Sequence, residues 1–202
     1  GTVTKIADIV KVWGHIIPSV FIENDGLDEM GFEVKENVDV ESLTKDEILH
    51  NIKEAGISGM GGAGFPTHVK LDVNDGEVDT VIINGAECEP YLTCDDQVMQ
   101  TYAKDIVEGL KLIMRVVKAQ KGYIAIEDNK PEAIKAIGEA IDSSNIELAI
   151  LKTKYPQGDE KRIIEAVTGR AVPDGGLPKA IGVIVNNVAS SKAVYDAQSG
   201  IP

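Results

Sequence analysis

Positive charge, cysteine and uninterrupted apolar stretches are all scarce in this chain of 202 residues. Lysine and arginine number 20 against 33 aspartates and glutamates, a formal net charge of -13. That balance argues against a general affinity for nucleic acid or anionic lipid surfaces. It leaves room for an anionic ligand, because backbone amides can make a locally positive site in an acidic protein. Two cysteines, Cys88 and Cys94, are too few for a disulfide framework or a four-thiolate cluster. A redox switch is the sharper reading of the pair, but most lone thiols are inert packing residues. His15, His50 and His68 share no metal-like spacing. The longest apolar stretch, Ile106 to Val117, is interrupted by Glu108, Lys111 and Arg115, so nothing approaches the ~18 to 20 residues of a spanning helix. No signal-peptide layout is present at the N-terminus, and a soluble, reducing compartment is expected. The chain opens on Gly1 without a Met and ends at Ile201-Pro202, which reads as a piece of a longer protein.

What is present is ordinary globular material: 43% apolar residues, enough to bury a sizeable core in one domain with a short appendage. Residues 1–28 carry short alternating β-branched runs, Thr2 to Ile6 and Ser19 to Ile22, the second closed by Asn24-Asp25-Gly26. Two such strands cannot form a core alone, so they are expected to be the end of a small β module. Residues 29–43 are acidic and read as a linker. From residue 44 to 202 the pattern is that of an α/β domain. Thr44 and Glu47 form a capping box, Ile48, Leu49, Ile52 and Ala55 give an apolar face, and Gly56 stops that helix. Strands are expected at Asp79–Ile83, Gly122–Ile126, Ile146–Leu151 and Ile181–Val185. Helices are expected at about Asp95–Ala119, Pro131–Ile141, Asp159–Thr168 and Ala189–Ala197. This alternation predicts a parallel sheet with helices on both faces. Ligands of such sheets sit beyond the carboxyl ends of the strands, which singles out the loops after Ile83, Leu151 and Val185.

A second feature is the abundance of glycine, 20 residues with no low-complexity tract. The densest cluster is Gly59-Met60-Gly61-Gly62-Ala63-Gly64-Phe65-Pro66-Thr67. Gly59, Gly61, Gly62 and Gly64 let backbone approach a planar or anionic ligand, and successive free amides can form an anion nest. Phe65 offers a stacking face and Lys70 a mobile positive charge for a phosphate. The bland alternative is a flexible turn. The loop lacks the Gly-Lys-Ser/Thr ending of a P-loop, and it does not follow a strand and open a helix as a dinucleotide fingerprint does. Asn84, Asn186 and Asn187 lie at or after predicted strand ends, where amides can reach ring or ribityl oxygens; turns and helix caps are their bland alternative. For Asp159 and Glu160 it is first-turn charge complementing a helix dipole.

Four ordered segments carry a resemblance: the glycine loop with Lys70, Asn84-Gly85-Ala86-Glu87-Cys88-Glu89-Pro90, Tyr155-Pro156-Gln157-Gly158-Asp159-Glu160, and Val185-Asn186-Asn187-Val188. Together they resemble the NADH-oxidising flavin subunit of complex I, and in detail the C subunit of the Rnf electron transport complex. Met60, Ala86 and Asp159 stand where the complex I pattern has Arg, Asp and Glu. The resemblance covers about Thr44 to the C-terminus and implies a Rossmann-like FMN-binding domain of the complex I flavin-subunit type. It implies that Gly59, Gly61, Gly62 and Lys70 approach the FMN phosphate and ribityl chain, with Asn84, Glu87, Asn186 and Asn187 also near the flavin. Phe65 would stack on a ring of the dinucleotide, and Glu89 would reach the nicotinamide amide. Tyr155, Gly158, Asp159 and Glu160 would line the shared cavity. Carboxylates beside a flavin disfavour its anionic reduced form, so recognition is the expected role of Glu87 and Glu89. The absence of Asp at Ala86 removes one expected flavin contact.

The activity implied is exchange of a hydride between NAD(H) and FMN, with single electrons passed to or from iron-sulfur clusters. No catalytic side chain is expected, because the cofactor carries the chemistry. The family's [4Fe-4S] cysteine motifs are absent here and are expected downstream of this chain. The implied partners are the other Rnf-type subunits and, indirectly, ferredoxin, with ion translocation by other subunits. The implied location is peripheral, on the cytoplasmic face of the bacterial cell membrane, with no membrane span and no nucleic acid. A related cobalamin reductase, or a docking domain that has lost its cofactor, are the competing readings.

Overall fold

Why the first residues pair is plain from their β-branched alternation: β1 (Thr2–Val10) and β2 (Ile16–Glu23) form an antiparallel hairpin. In this computed structural model residues 1–10, 14–29, 31, 33–35, 38–62 and 64–202 are described. Ala63 of the glycine loop and part of the stretch 29–43 lie outside them. The chain divides into two compact units, Gly1–Glu33 and Val34–Pro202. In the first, Val3, Ile6 and Val10 lie across from Ile22, Val20 and Ile16, giving the hairpin one exposed apolar face.

The second unit holds a four-stranded, all-parallel sheet in the order β5-β4-β3-β6, with β3 Thr80–Gly85, β4 Lys121–Glu127, β5 Ile146–Leu151 and β6 Val183–Asn187. Side chains alternate across it as the period of two requires. Val81, Ile83, Ile124, Ile126 and Ile184 join the larger core cluster on one face. Ile82, Ala125, Val183 and Val185 join a second cluster on the other. The larger cluster packs under α1 (Lys45–Glu54), α2 (Thr67–Leu71), α3 (Cys94–Thr101), α4 (Ala103–Val117), α5 (Pro131–Ala140) and α7 (Val188–Gln198). Helix α6 (Glu160–Thr168) contributes Ile163 and Ile164 to the second. Helices therefore cover both faces, as the sequence pattern predicts.

Local signals set the element ends. Thr44 and Glu47 form the capping box of α1. The amides of Gly56 and Ile57 return to the carbonyls of Lys53 and Ile52, at 3.0 and 3.2 Å, the pairing that closes a Schellman motif. The glycine loop starts at that stop.

Two expectations need correction. The helix expected over Asp95–Ala119 is two helices, interrupted at Tyr102, whose φ of -123° and ψ of 33° are not helical. The four-residue spacing of Val98, Tyr102 and Ile106 survives the break, so periodicity alone could not reveal it. The last strand starts at Val183, after a 3-10 turn over Pro178–Ile181. It runs on through Asn187, so Asn186 and Asn187 are strand residues rather than loop residues. Within the stretch read as linker, Val40 and Leu43 pack on the larger core, and Arg115 donates to the Val40 carbonyl at 2.6 Å.

No helix among the described residues is long and apolar enough to cross a membrane.

Candidate functional site

From β3 the chain moves outward to β4 and then β5, and it returns to place β6 on the other side of β3. The direction of winding reverses between β3 and β6, which opens a crevice at their carboxyl ends. Asn84 and Asn187 are register partners across that reversal. A cavity of about 560 Å³ lies there, lined by eight of the sequence-predicted residues: Gly61, Asn84, Glu87, Glu89, Tyr155, Gly158, Asp159 and Asn187.

Each wall has a local cause. Asn84 at the end of β3 accepts from the Ala86 amide at 3.0 Å and donates to the Gly158 carbonyl at 2.8 Å. It thereby ties the loop after β3 to the loop after β5. Gly158 is needed for that approach: a Cβ there would sit 2.3 Å from the Ala86 carbonyl oxygen. Its amide points at the Cys88 sulfur, 3.4 Å away. Asp159 caps α6 by accepting from the Arg162 amide at 3.2 Å; it is the cap, and the helix starts at Glu160. Asn187 caps α7 through the Ala189 amide at 2.8 Å and also donates to Asp95 at 2.6 Å. Asp159 and Asn187 are thus helix caps that also line the cavity.

The glycine loop bends back on itself. Ser58 bridges Pro66, and the Gly59 amide donates to the Phe65 carbonyl at 2.8 Å. Gly61 and Gly62 have φ of 115° and 119°, a region L side chains avoid, and their amides donate to nothing among the described residues. Gly61 rests on Asn187, where a Cβ would be 3.5 Å from that of Asn187. The buried hydroxyl of Ser190 accepts from the Met60 amide at 2.9 Å and fastens the loop to α7. Nothing in the sequence signals Ser190, because its partner is 130 positions away.

The remaining predicted residues stand back from the cavity. Gly59 and Gly62 belong to the loop's own turn, and Phe65 is half exposed. The Lys70 ammonium donates to the Val185 carbonyl and pairs with Glu160 at 3.4 Å. Asn186 is buried, and its Nδ2 has no partner; the Thr67 hydroxyl is likewise buried and unpaired.

Glu87 has the most crowded setting. Its side chain is 3% exposed. It accepts from the Asp95 and Asp96 amides at 3.0 and 3.4 Å and from the Cys94 thiol at 3.2 Å. Lys130 stands 3.4 Å away. Burial pushes its carboxyl up, but the amides, the thiol and the ammonium more than offset this and hold it below the ordinary value. Glu87 therefore caps α3 as well as facing the cavity. The hydrogen bond to Glu87, with burial, raises the Cys94 thiol, which argues against a reactive thiolate. At the rim, the nearby charge of Glu89 raises the Tyr155 phenol. Asp95 and Lys130 are site residues that the sequence reading missed. Their only signal is an acidic first helical turn and a Lys before Pro131, both common surface features.

The glycine approach, the open amides of Gly61 and Gly62 and the paired asparagines Asn84 and Asn187 fit a flat, polyhydroxylated, anionic ligand. Comparison with known proteins agrees. The chain belongs to the family described as the Nuo51 FMN-binding domain, which residues 52–196 match. Similar relatives of the chain are C subunits of ion-translocating, Rnf-type ferredoxin:NAD oxidoreductases. It is 45% identical over 205 residues to the C subunit of the Na(+)-translocating ferredoxin:NAD(+) oxidoreductase complex of Acetobacterium woodii, covering 100% of this chain and 46% of that protein. It is 46% identical over 204 residues to the proton-translocating counterpart of Clostridium ljungdahlii, covering 100% and 45%. The chain thus spans about half the length of these relatives. Among solved structures, an NAD+-reducing [NiFe]-hydrogenase in its H2-reduced state superposes with a TM-score of 0.62 at 27% identity, over 77% of this chain and 31% of that one.

Proposed function

We propose that residues 44–202 bind FMN in the cavity at the β3–β6 reversal and exchange reducing equivalents with NAD(H) there. The observation that carries this reading is the cavity itself: Asn84, Gly158 and Asn187, from three separate motifs, converge at the switch point of a parallel sheet. When bound, FMN supplies the redox chemistry that links two-electron exchange with NAD(H) to one-electron carriers.

In this reading the amides of Gly61 and Gly62 take the phosphate end of the ligand. Lys70 joins them by leaving Glu160, a half-exposed pair whose loss costs little. Asn84 and Asn187, which line the cavity, hold ribityl and ring oxygens. Glu89, exposed at the rim beside Tyr155, faces the nicotinamide, and Phe65 offers a stacking face to the dinucleotide. Residues 1–28 belong to a β module and 29–43 to its connection. In the whole protein, electrons would pass to or from iron-sulfur clusters carried elsewhere in the chain. The oxidoreductase would serve ferredoxin in a membrane-associated Rnf-type complex, with this domain peripheral on the cytoplasmic face.

The test is a fluorescence titration of the apo chain with FMN, followed by anaerobic NADH. Saturable quenching and then bleaching of the flavin absorbance are expected. Failure of the chain, and of its longer parent protein, to bind FMN would overturn the reading. Gly158→Ala should raise the FMN Kd at least tenfold, since the added methyl must push the two tied loops apart. An unchanged Kd would show that the tie does not shape the site.

A further inference from the structure

Most polar side chains around the cavity are already engaged by the fold. Asn84 joins Ala86 to Gly158, Glu87 caps α3, and Asn187 is divided between Ala189 and Asp95. Asp95 is different. Its Oδ2 receives the Asn187 amide at 2.6 Å, while its Oδ1 has no hydrogen bond or ion pair among the described residues. It is half-buried and lines the cavity. That oxygen is not one of the fully buried unpaired atoms, so it opens to the cavity, and something there, water or a ligand donor, supplies its hydrogen bond.

The surroundings limit what that something can be. Lys130 pairs with Glu87 and Asp96, at 3.4 and 3.8 Å, rather than with Asp95. Glu87 adds a second negative charge close by, so an anionic group is disfavoured at this wall and a neutral donor is favoured. A metal ion is a weaker fit. Ligand atoms of Glu87, Cys94 and Asp95 do lie within 4.8 Å of one another. However, Glu87 already accepts from two amides and a thiol, and Cys94 keeps its proton for that bond. The ligand's phosphate must then lie towards the glycine loop, which leaves Asp95 facing hydroxyl or N–H groups.

We infer that Asp95 is a ligand-anchoring residue: its Oδ1 accepts a hydrogen bond from a hydroxyl or N–H of the bound flavin, and its Oδ2 keeps the Asn187 amide turned towards the same ligand. This rests on the flavin reading above. It deepens that reading by assigning a contact to a residue outside all four sequence motifs.

The electrostatics give the assignment a separate readout. Burial raises the Asp95 carboxyl above its usual value; Glu87 adds to the rise, and Asn187 and Lys130 oppose it. The native state therefore holds the Asp95 proton to a higher pH than the unfolded chain does. The stability this gives is full below the unfolded value of 3.8 and is lost as pH rises through the raised native value. At neutral pH the charge is a burden on the empty domain, and a ligand donor relieves it.

The experiment compares Asp95→Asn with the unaltered chain. Without ligand, the variant should melt at the same or a higher temperature at pH 7, with the gain disappearing towards pH 4. Its FMN Kd should nonetheless rise about tenfold, as loss of a charged acceptor requires. Lumiflavin, which lacks the ribityl chain, separates the donors: an equal loss assigns the contact to the ring N–H, and no loss assigns it to a ribityl hydroxyl. A double-mutant cycle with Asn187→Ala isolates the direct contact. An FMN Kd within twofold of the unaltered chain overturns the inference. So does an Asp95→Asn effect that vanishes in the Asn187→Ala background, because Asp95 would then act only through Asn187. Failure of the unaltered chain to bind FMN is a different result, and it overturns the flavin reading itself.

Discussion

Gly109→Ala should destabilise the larger unit by up to about 2 kcal/mol, although Ala is the better helix former. In an exposed helix interior the exchange gains about 1 kcal/mol. Here α4 and α7 touch backbone to backbone at this residue. An added Cβ would lie 1.9 Å from the Ser191 carbonyl oxygen and 2.6 Å from its carbon. Ser191 cannot turn aside, because the contact is main chain and its buried hydroxyl donates to the Ile106 carbonyl at 2.9 Å. The helices must separate, and overpacking of this kind costs about 1 to 3 kcal/mol, which outweighs the propensity gain. The damage should spread to the site, since α7 carries both the Asn187 cap and the Ser190 tether. A urea melt of the variant reads the sign directly. An unchanged or raised midpoint would mean that the helices have room to spare.

Lys130→Met should cost a further large amount, roughly 3 to 5 kcal/mol, because it strands carboxylates inside the fold. The Lys130 side chain is 10% exposed and stands between Glu87 and Asp96. Glu127 is fully buried nearby, with one oxygen unpaired. Burial holds the Glu127 carboxyl above its ordinary value, although the Lys154 amide and Lys130 act against this. Methionine fills much of the lysine volume, so the effect isolates charge from packing. In the unaltered chain the depressed Glu87 carboxyl contributes stability above its unfolded value of 4.5 that is lost as pH falls. Without Lys130 the nearby carboxylates should favour their protonated forms, so the variant's deficit should shrink on acidification. Urea melts at pH 7 and pH 5 test this. A deficit under about 1 kcal/mol, or one that ignores pH, would show that the α3 amides alone suffice to hold Glu87.

These two residues illustrate what could be read in advance. The capping box at Thr44 and Glu47, the stop at Gly56 and the alternation of strands and helices are short-range signals, and the structure follows them. The break at Tyr102 and the late start of β6 were not legible, since a helical stripe continues through the first and Pro178 and Gly182 only mark a turn before the second. At the site, the glycines and asparagines singled out in the sequence lie on loops that meet at one cavity. It could not say that Lys70 reaches the Val185 carbonyl, or that Glu87 caps a helix eight positions on.

The sequence alone determined the elements, the parallel α/β class and the motif set, because caps, periodicity and glycine chemistry act within a few residues of one another. Only the tertiary structure decided which side chains meet. Met60 and Ser190 are 130 positions apart, and Asp95 and Asn187 are 92 apart. Both pairs exist because β6 returns beside β3, and no local energy along the chain encodes that strand order; it follows from covering both faces of the sheet at once.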